Sequence, residues 1–276
     1  RRPPRSTLDR SSASSDVYKR QVLRNNATKN MKTAIVLPTY NESQNIEGMI
    51  AALLALEIGH INVLVVDDNS PDGTGQIADQ LAEQFPQQVE VMHRIGERGL
   101  GSAYVAGFKH VLQTDVDAVI QMDSDFSHSP RYLPEMLTSL KENDVVVGSR
   151  YVAGGRLDEH WGVGRRLLSV FANSIYTRLI LGLRVRDVTA GFKVWRHSTL
   201  IGIGLQRVRS NGYVFQVEMA YLSEKLGYRV KELPIYFEDR RIGRSKMSQR
   251  IKLEAVWRTL QVAQRHRRLT QADRQT

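Results

Sequence analysis

The chain reads as an α/β protein, a mostly parallel sheet flanked by helices in a single domain. Three observations carry that reading. Short runs at residues 33–37, 62–66 and 118–122 are almost wholly apolar. Each stops abruptly in polar or turn-forming residues: Pro38-Thr39-Tyr40-Asn41-Glu42, Asp67-Asp68-Asn69-Ser70-Pro71-Asp72-Gly73, and Asp123-Ser124-Asp125. Helix-like stretches separate the runs. Strands that are apolar at nearly every position are buried on both faces, and alternation with helices makes such strands parallel. Ligands of open α/β sheets bind beyond the carboxyl ends of the strands, so these polar ends are expected to share one crevice.

Taken in order, the strand at 33–37 leads through its polar stop into a helix at 43–56. The strand at 62–66 is closed by strong turn formers and followed by a helix at 75–85. Next come a strand at 89–92, a helix at 102–113, the strand at 118–122, a helix at 131–141 and a strand at 145–147. After Gly148-Ser149-Arg150 the alternation loosens into a loop with Gly154, Gly155, Gly162 and Gly164. A helix near 167–181, a strand near 192–195, a helix at 215–226 and a strand at 229–237 complete the domain. Beyond Met247, Leu253, Val256, Trp257, Leu260 and Ala263 fall at helical spacing, which predicts an amphipathic helix docked by that stripe. Trp257 and the cluster Arg265-His266-Arg267-Arg268 would also suit a membrane interface.

Three segments follow: a non-native or disordered leader at 1–30, a domain at 31–248, and a basic amphipathic helix and tail at 249–276. The leader is rich in Arg and Ser, and Met31 is the expected start. The net charge of +10 is unevenly placed. Residues 1–30 hold 8 Lys/Arg against 2 Asp, residues 240–276 hold 11 Lys/Arg against Glu254 and Asp273, and the body between holds 20 Lys/Arg against 25 Asp/Glu. A basic tail on an acidic body argues against nucleic acid, whose partners build the basic face into the fold, and for anionic lipid headgroups. No apolar stretch reaches the roughly 18 residues of a membrane span. The expectation is a cytoplasmic protein, peripheral on the cytoplasmic face of a membrane. The absence of cysteine excludes disulfides, thiol nucleophiles and thiolate-bound zinc.

Asp123 and Asp125 carry the sharpest chemistry. On extended backbone, side chains two residues apart point to one side, so both carboxylates would meet one hard cation, Mg²⁺ or Mn²⁺, that in turn holds a diphosphate. Gly96-Glu97-Arg98-Gly99-Leu100-Gly101 follows the third strand and lacks the spacing of a dinucleotide fingerprint; its glycines are expected to let a helix start pack closely against the sheet. Arg240-Arg241-Ile242-Gly243-Arg244-Ser245-Lys246 sets cations beside a flexible glycine, read either as a solvated charge run or as a loop that closes over a leaving diphosphate. His128 is read as a loop residue rather than a ligand.

Together these segments resemble the polyprenyl-phosphate (dolichol-phosphate) mannose synthases, family 2 glycosyltransferases of GT-A fold. The motifs are Pro38-Thr39-Tyr40-Asn41-Glu42, Val66 to Thr74, Met122 to His128, Gly148-Ser149-Arg150-Tyr151, Asp187 to Phe192 and Gly243-Arg244-Ser245-Lys246, in that order. The resemblance implies that Pro38, Tyr40, Glu42, Val66 and Asp68 hold the nucleoside of GDP-mannose. It implies that Asp123 and Asp125 carry the metal with Ser124 beside the donor, and that Arg150, Arg240 and Lys246 meet phosphates. Arg165 and Ser169 would receive the acceptor, a polyprenyl phosphate. One departure is Ser169-Val170-Phe171-Ala172-Asn173, where the family often has Ser-Arg-Gly-Ala-Asn. The implied reaction is inverting transfer of mannose to the lipid phosphate, with a separate membrane-anchoring protein as a further partner. Two alternatives stand beside it: a polyprenyl-phosphate glucosyltransferase using UDP-glucose, and a non-catalytic membrane-surface protein.

Overall fold

A computed structural model describes residues 30–96, 99–158, 180–238 and 249–276, with side chains of the last segment from Trp257 onward. The leader and the segments holding Arg165, Ser169, Arg240 and Lys246 lie outside the described residues, as does most of the helix expected near 167–181.

Four strands arise where the sequence places them: β1 (Lys32–Thr39), β2 (His60–Asp67), β3 (Val89–His93) and β4 (Ala118–Gln121). They pair in parallel in the order β3-β2-β1-β4, with Thr39 level with Asp67 and Thr33 level with Ala118. The sheet continues through β7 (Lys193–Arg196), β5 (Val145–Ser149) and β8 (Val230–Pro234), giving β3-β2-β1-β4-β7-β5-β8. A second, two-stranded sheet joins β6 (Arg156–Leu157) to β9 (Tyr236–Phe237); Ile235 thus divides the expected strand 229–237 between two sheets.

Both faces of the sheet are covered, as uninterrupted apolar strands require. Along β1, Ile35 and Leu37 face a layer formed by α1 (Ile46–Leu54), α2 (Thr74–Gln84) and α4 (Leu133–Ser139), with Met49, Ile50, Leu53, Ala78, Met136 and Leu137 buried against them. Ala34 and Val36 face the other layer, α3 (Leu100–Val111), α5 (His197–Ile203) and α6 (Tyr213–Lys225), through Tyr104, Phe108, Leu200, Phe215, Met219 and Leu222. The start of α3 approaches α6 very closely: a Cβ on Gly101 would stand 2.8 Å from the Ser210 carbonyl oxygen and 2.9 Å from Phe215 Cβ. The close packing expected against the sheet is thus found against α6 and the residues leading into it, for Gly101 and for Gly99 beside Asn211, while Gly96 has nothing within 4 Å of its Cβ position.

One strand decides where the site forms. β7 runs antiparallel between β4 and β5, with Lys193 opposite Gln121 and Val147. It therefore enters the sheet at the edge where β4 and β5 leave it. The residues before it, Asp187 to Phe192, land beside Asp123 and Arg150 although 37 residues separate Asp187 from Arg150.

The last helix, α7 (Gln249–His266), packs against α6; of the stripe its spacing suggested, Ala263 joins that contact, Trp257 and Leu260 do not, and the side chains of Leu253 and Val256 lie outside the described residues. Thr259, Val262 and His266 are buried, whereas Trp257 is 64% and Leu260 41% exposed. The cause is Glu218 on α6, wholly buried, whose carboxylate accepts hydrogen bonds from Arg265 Nη1 at 2.7 Å, His266 Nε2 at 2.8 Å and the amides of Arg209 and Ser210. A buried charge demands these partners, and turning Arg265 and His266 inward rotates Trp257 outward. Burial alone would raise the Glu218 pKa; hydrogen bonds from His266, Ser210 and Arg209 outweigh it and hold the group at about 2. A depressed acid stabilises the fold above its ordinary pKa of 4.5 and loses that contribution as pH falls toward about 2. Thermal unfolding of Glu218→Gln beside the parent is expected to show a wide gap at pH 7 that narrows through that window. A constant gap would refute the titration.

Candidate active site

Five chain segments meet at the carboxyl edge of the sheet. The first two are laced together by main-chain donors. The Asn41 amide donates to Ser70 Oγ at 3.1 Å, Glu42 to Thr74 Oγ1 at 2.9 Å and Ser43 to Asp72 Oδ2 at 3.1 Å. Asp72 also accepts from the Thr74 amide and hydroxyl, and although burial opposes it, these bonds and those from Ser43 lower its pKa to about 2. Buried Asp67 accepts from Thr39 Oγ1 and from the amide and hydroxyl of Ser70, fixing the turn that starts α2. These aspartates are architectural.

The residues expected to hold a nucleoside divide. Pro38, Tyr40 and Glu42 lie half-buried along the first loop. Asp68 is nearly buried, with Oδ1 receiving Arg94 Nη1 at 2.7 Å and Oδ2 receiving the Gly99 amide at 2.9 Å. Arg94, which also reaches Ser102 Oγ at 2.9 Å, is thus part of this wall and was not singled out by the sequence. Val66 departs from expectation: its side chain is wholly buried in the core, so only its main chain is left to face a ligand.

The Asp-Ser-Asp segment also departs from the extended geometry assumed for it. β4 ends at Gln121 and the chain bends from Ser124 to His128, with Phe126 at φ 64°. Asp123 keeps a partly exposed carboxylate, 29% accessible. Asp125 is 3% exposed and turns its Oδ1 to the Ser127 amide at 3.1 Å and hydroxyl at 2.6 Å. Ser124, also buried, approaches the Pro38 carbonyl at 3.5 Å and ties this loop to the first.

Asp123 is gripped from two sides. Its Oδ1 accepts the hydroxyl of Tyr104 on α3 at 3.0 Å, and its amide donates to His128 Nδ1 at 2.9 Å. His128 is buried, stacked on Phe192 at 5.2 Å and edge-on to Phe237 at 5.8 Å. Burial lowers its pKa despite Asp123 and Asp125, and its Nδ1, accepting from the Asp123 amide, holds the loop. Burial, reinforced by Asp123, raises the Tyr104 pKa and keeps its hydroxyl a donor. Gly191 completes the enclosure: a Cβ there would stand 2.9 Å from His128 Cε1 and 3.6 Å from Asp123 Oδ2.

Arg150 lies at the end of β5, its guanidinium forked onto wholly buried Asp187 at 2.8 and 2.6 Å and bonded to Thr189 Oγ1 at 2.9 Å. Its amide donates to the same carboxylate at 2.9 Å. Beneath the site, buried Lys193 donates to the Ala190 carbonyl and to Gln216 Oε1, which also accepts from Gln121 Nε2. Burial pulls the Lys193 pKa down to about 7 against the pull of Asp187. The sequence offered little signal for this network, because a lysine inside an apolar strand shows its depth only when folded.

Among the described residues no three acidic or histidine side chains gather to hold a metal. The available donors are the carboxylates of Asp123 and Asp125. An all-oxygen set of two leaves positions for phosphate and water, which fits Mg²⁺ or Mn²⁺.

Comparison with known proteins agrees with this geometry. The chain is 43% identical over 226 residues, 82% of its length and 91% of the relative's, to an undecaprenyl-phosphate mannosyltransferase of Micrococcus luteus. It is 41% identical over 218 residues, 79% of its length and 81% of the relative's, to a polyprenol monophosphomannose synthase of Mycolicibacterium smegmatis. Among solved structures, glucosyl-3-phosphoglycerate synthase from Mycobacterium tuberculosis with Mn²⁺, uridine-diphosphate-glucose and phosphoglyceric acid superposes with TM-score 0.60 at 17% identity, over 88% of this chain and 82% of that one. A mannosyltransferase from Pyrobaculum calidifontis in complex with GDP-Man and Mn²⁺ gives TM-score 0.53 at 18% identity, over 79% and 59%. At such identities the structures speak for the GT-A fold alone. Residues 34–202 match the family described as Glycosyl transferase family 2, and the chain belongs to that family of enzymes.

Proposed function

We propose that this enzyme transfers mannose from GDP-mannose to a polyprenyl monophosphate with inversion, giving a β-linked mannosyl phosphoryl polyprenol. The observation that carries the reading is identity of 43% and 41% with two lipid-phosphate mannose transferases across most of each chain.

The chemistry of the crevice supports it. A phosphate monoester is anionic at neutral pH, so its oxygen attacks the anomeric carbon as the bond to the diphosphate breaks, and no base is needed. Among the described residues, the histidine that contacts Asp123 is buried and accepts a hydrogen bond from a main-chain amide, which suits a site without a general base. A divalent cation on Asp123 and Asp125 would offset the charge gathering on the departing diphosphate. Ser124 lies against the donor, and the Asp187 to Phe192 turn walls the other side. Arg150 holds that turn through Asp187 and Thr189, which leaves Arg240 and Lys246 to meet the phosphates, while Arg165 and Ser169 receive the lipid phosphate.

The acceptor lies in a bilayer, and α7 offers a surface to it. Among the described residues no helix is long and apolar enough to cross a membrane. The outward face of α7 instead shows Trp257 and Leu260, and residues 257–276 carry five Arg against Asp273. Trp at the headgroup boundary with neighbouring cations suits an anionic bilayer surface. Trp257→Gln with Leu260→Gln is expected to weaken co-sedimentation with vesicles containing phosphatidylglycerol by about tenfold or more. Unchanged sedimentation, or dependence on a separate anchoring protein, would remove this face from the reading.

The decisive assay supplies radiolabelled GDP-mannose or UDP-glucose to a polyprenyl phosphate in detergent, with and without Mg²⁺ or Mn²⁺. Metal-dependent mannolipid from GDP-mannose alone is expected. Glucolipid from UDP-glucose would replace the donor and keep the mechanism.

A further inference from the structure

Tyr104 belongs to α3, an element the sequence did not connect with the Asp-Ser-Asp loop, and its hydroxyl is the donor that reaches Asp123 Oδ1. The ring is wholly buried, stacked on Phe215 of α6 at 5.6 Å with 6° between planes and flanked by Phe108 at 5.7 Å. It cannot swing away without opening the α3–α6 contact that Gly101 makes so close. Asp123 is held by its main chain as well, through His128. Among the described residues no hydrogen-bond donor reaches Oδ2, since His128 Nδ1 stands 3.9 Å away.

From this we propose that Tyr104 is a positioning residue for the metal: it occupies Oδ1 and so presents Asp123 to a divalent cation as a one-oxygen ligand through Oδ2. A carboxylate free to rotate would offer either or both oxygens and lose orientation each time it binds. Fixing one oxygen from a rigid aromatic stack removes that freedom before the cation arrives. Hydrogen bonds from the surrounding shell to a ligating carboxylate are commonly worth about 10- to 100-fold in metal affinity or activity. The inference rests on Asp123 as a metal ligand and deepens that part of the proposed function.

The test titrates Mn²⁺ into the full chain with GDP present and follows free Mn²⁺ by electron paramagnetic resonance, for the parent, Tyr104→Phe, Asp123→Asn and the double variant. Tyr104→Phe keeps the ring stack, so its thermal midpoint should stay near the parent's. Its Mn²⁺ affinity should fall by about tenfold or more. In the Asp123→Asn background the same change should add no further loss. If Asp123→Asn binds Mn²⁺ as the parent does, the metal assignment itself fails. If Asp123→Asn loses Mn²⁺ while Tyr104→Phe stays within twofold of the parent, the assignment stands and the positioning role is overturned. A loss in Tyr104→Phe that adds fully to that of Asp123→Asn would also overturn it, because the tyrosine would then act by some route other than this carboxylate.

Discussion

Asp123→Asn is expected to lower the transfer rate by on the order of 10²–10³-fold, the scale on which a single electrostatic contact to a developing charge acts. The fold should hardly notice. The amide oxygen of asparagine still accepts the Tyr104 hydroxyl, and the side chain is partly exposed, so no buried group is orphaned. Alanine at the same position is a different experiment. It leaves the hydroxyl of a wholly buried tyrosine without its acceptor, at a cost of about 1–3 kcal/mol. For a domain of this size that lowers the thermal midpoint by a few degrees. Rates and melting curves for both variants separate the two effects: equal activity losses with unequal midpoints are expected. An active Asp123→Asn would remove the residue from the reaction.

The largest stability effect is expected at Asp187. Its carboxylate is wholly buried and accepts three hydrogen bonds from Arg150, two from the guanidinium and one from the amide, while its own amide is fixed by Glu232. Removing one partner of such a pair strands the other charge and typically costs about 3–5 kcal/mol. Asp187→Ala should therefore lower the thermal midpoint by roughly 10 °C. Arg150→Lys should fall short of rescue in its own right, because an ammonium cannot reproduce the planar fork. Urea unfolding of these variants measures the cost directly, and a shift under about 1 kcal/mol would mean that the pair is solvated in practice.

The parts of this molecule that were legible from its sequence are those set by local patterning. The strands β1, β2 and β4 announce themselves by almost wholly apolar runs, and β3 and the helices between them follow from alternation. Asp123 stood out because it follows a buried strand, and the structure leaves its carboxylate partly exposed at the carboxyl edge of the sheet. What was hidden depends on distant partners. The antiparallel course of β7 leaves no trace in four residues, and α5 is one short helix between turn signals. Arg150 shows nothing of Asp187, and Asp125 gives no sign that Ser127 bends it out of line. Tyr104 reads as one more apolar position on α3, although a hydroxyl on a buried ring always asks where its hydrogen goes. In α7 the apolar spacing favoured Trp257, and a buried carboxylate on another helix overruled it.

The course of β7 has a bearing on how the crevice comes into being. Asp123 leaves β4, which pairs in parallel with β1, but the wall beside it is delivered by a strand that runs between β4 and β5 from the opposite direction. The β1–β4 and β4–β7 pairings both join stretches far apart in sequence, so neither follows from local closure of the chain. The crevice is therefore a product of the completed sheet: the wall beside Asp123 exists only where β7 is paired on both of its sides.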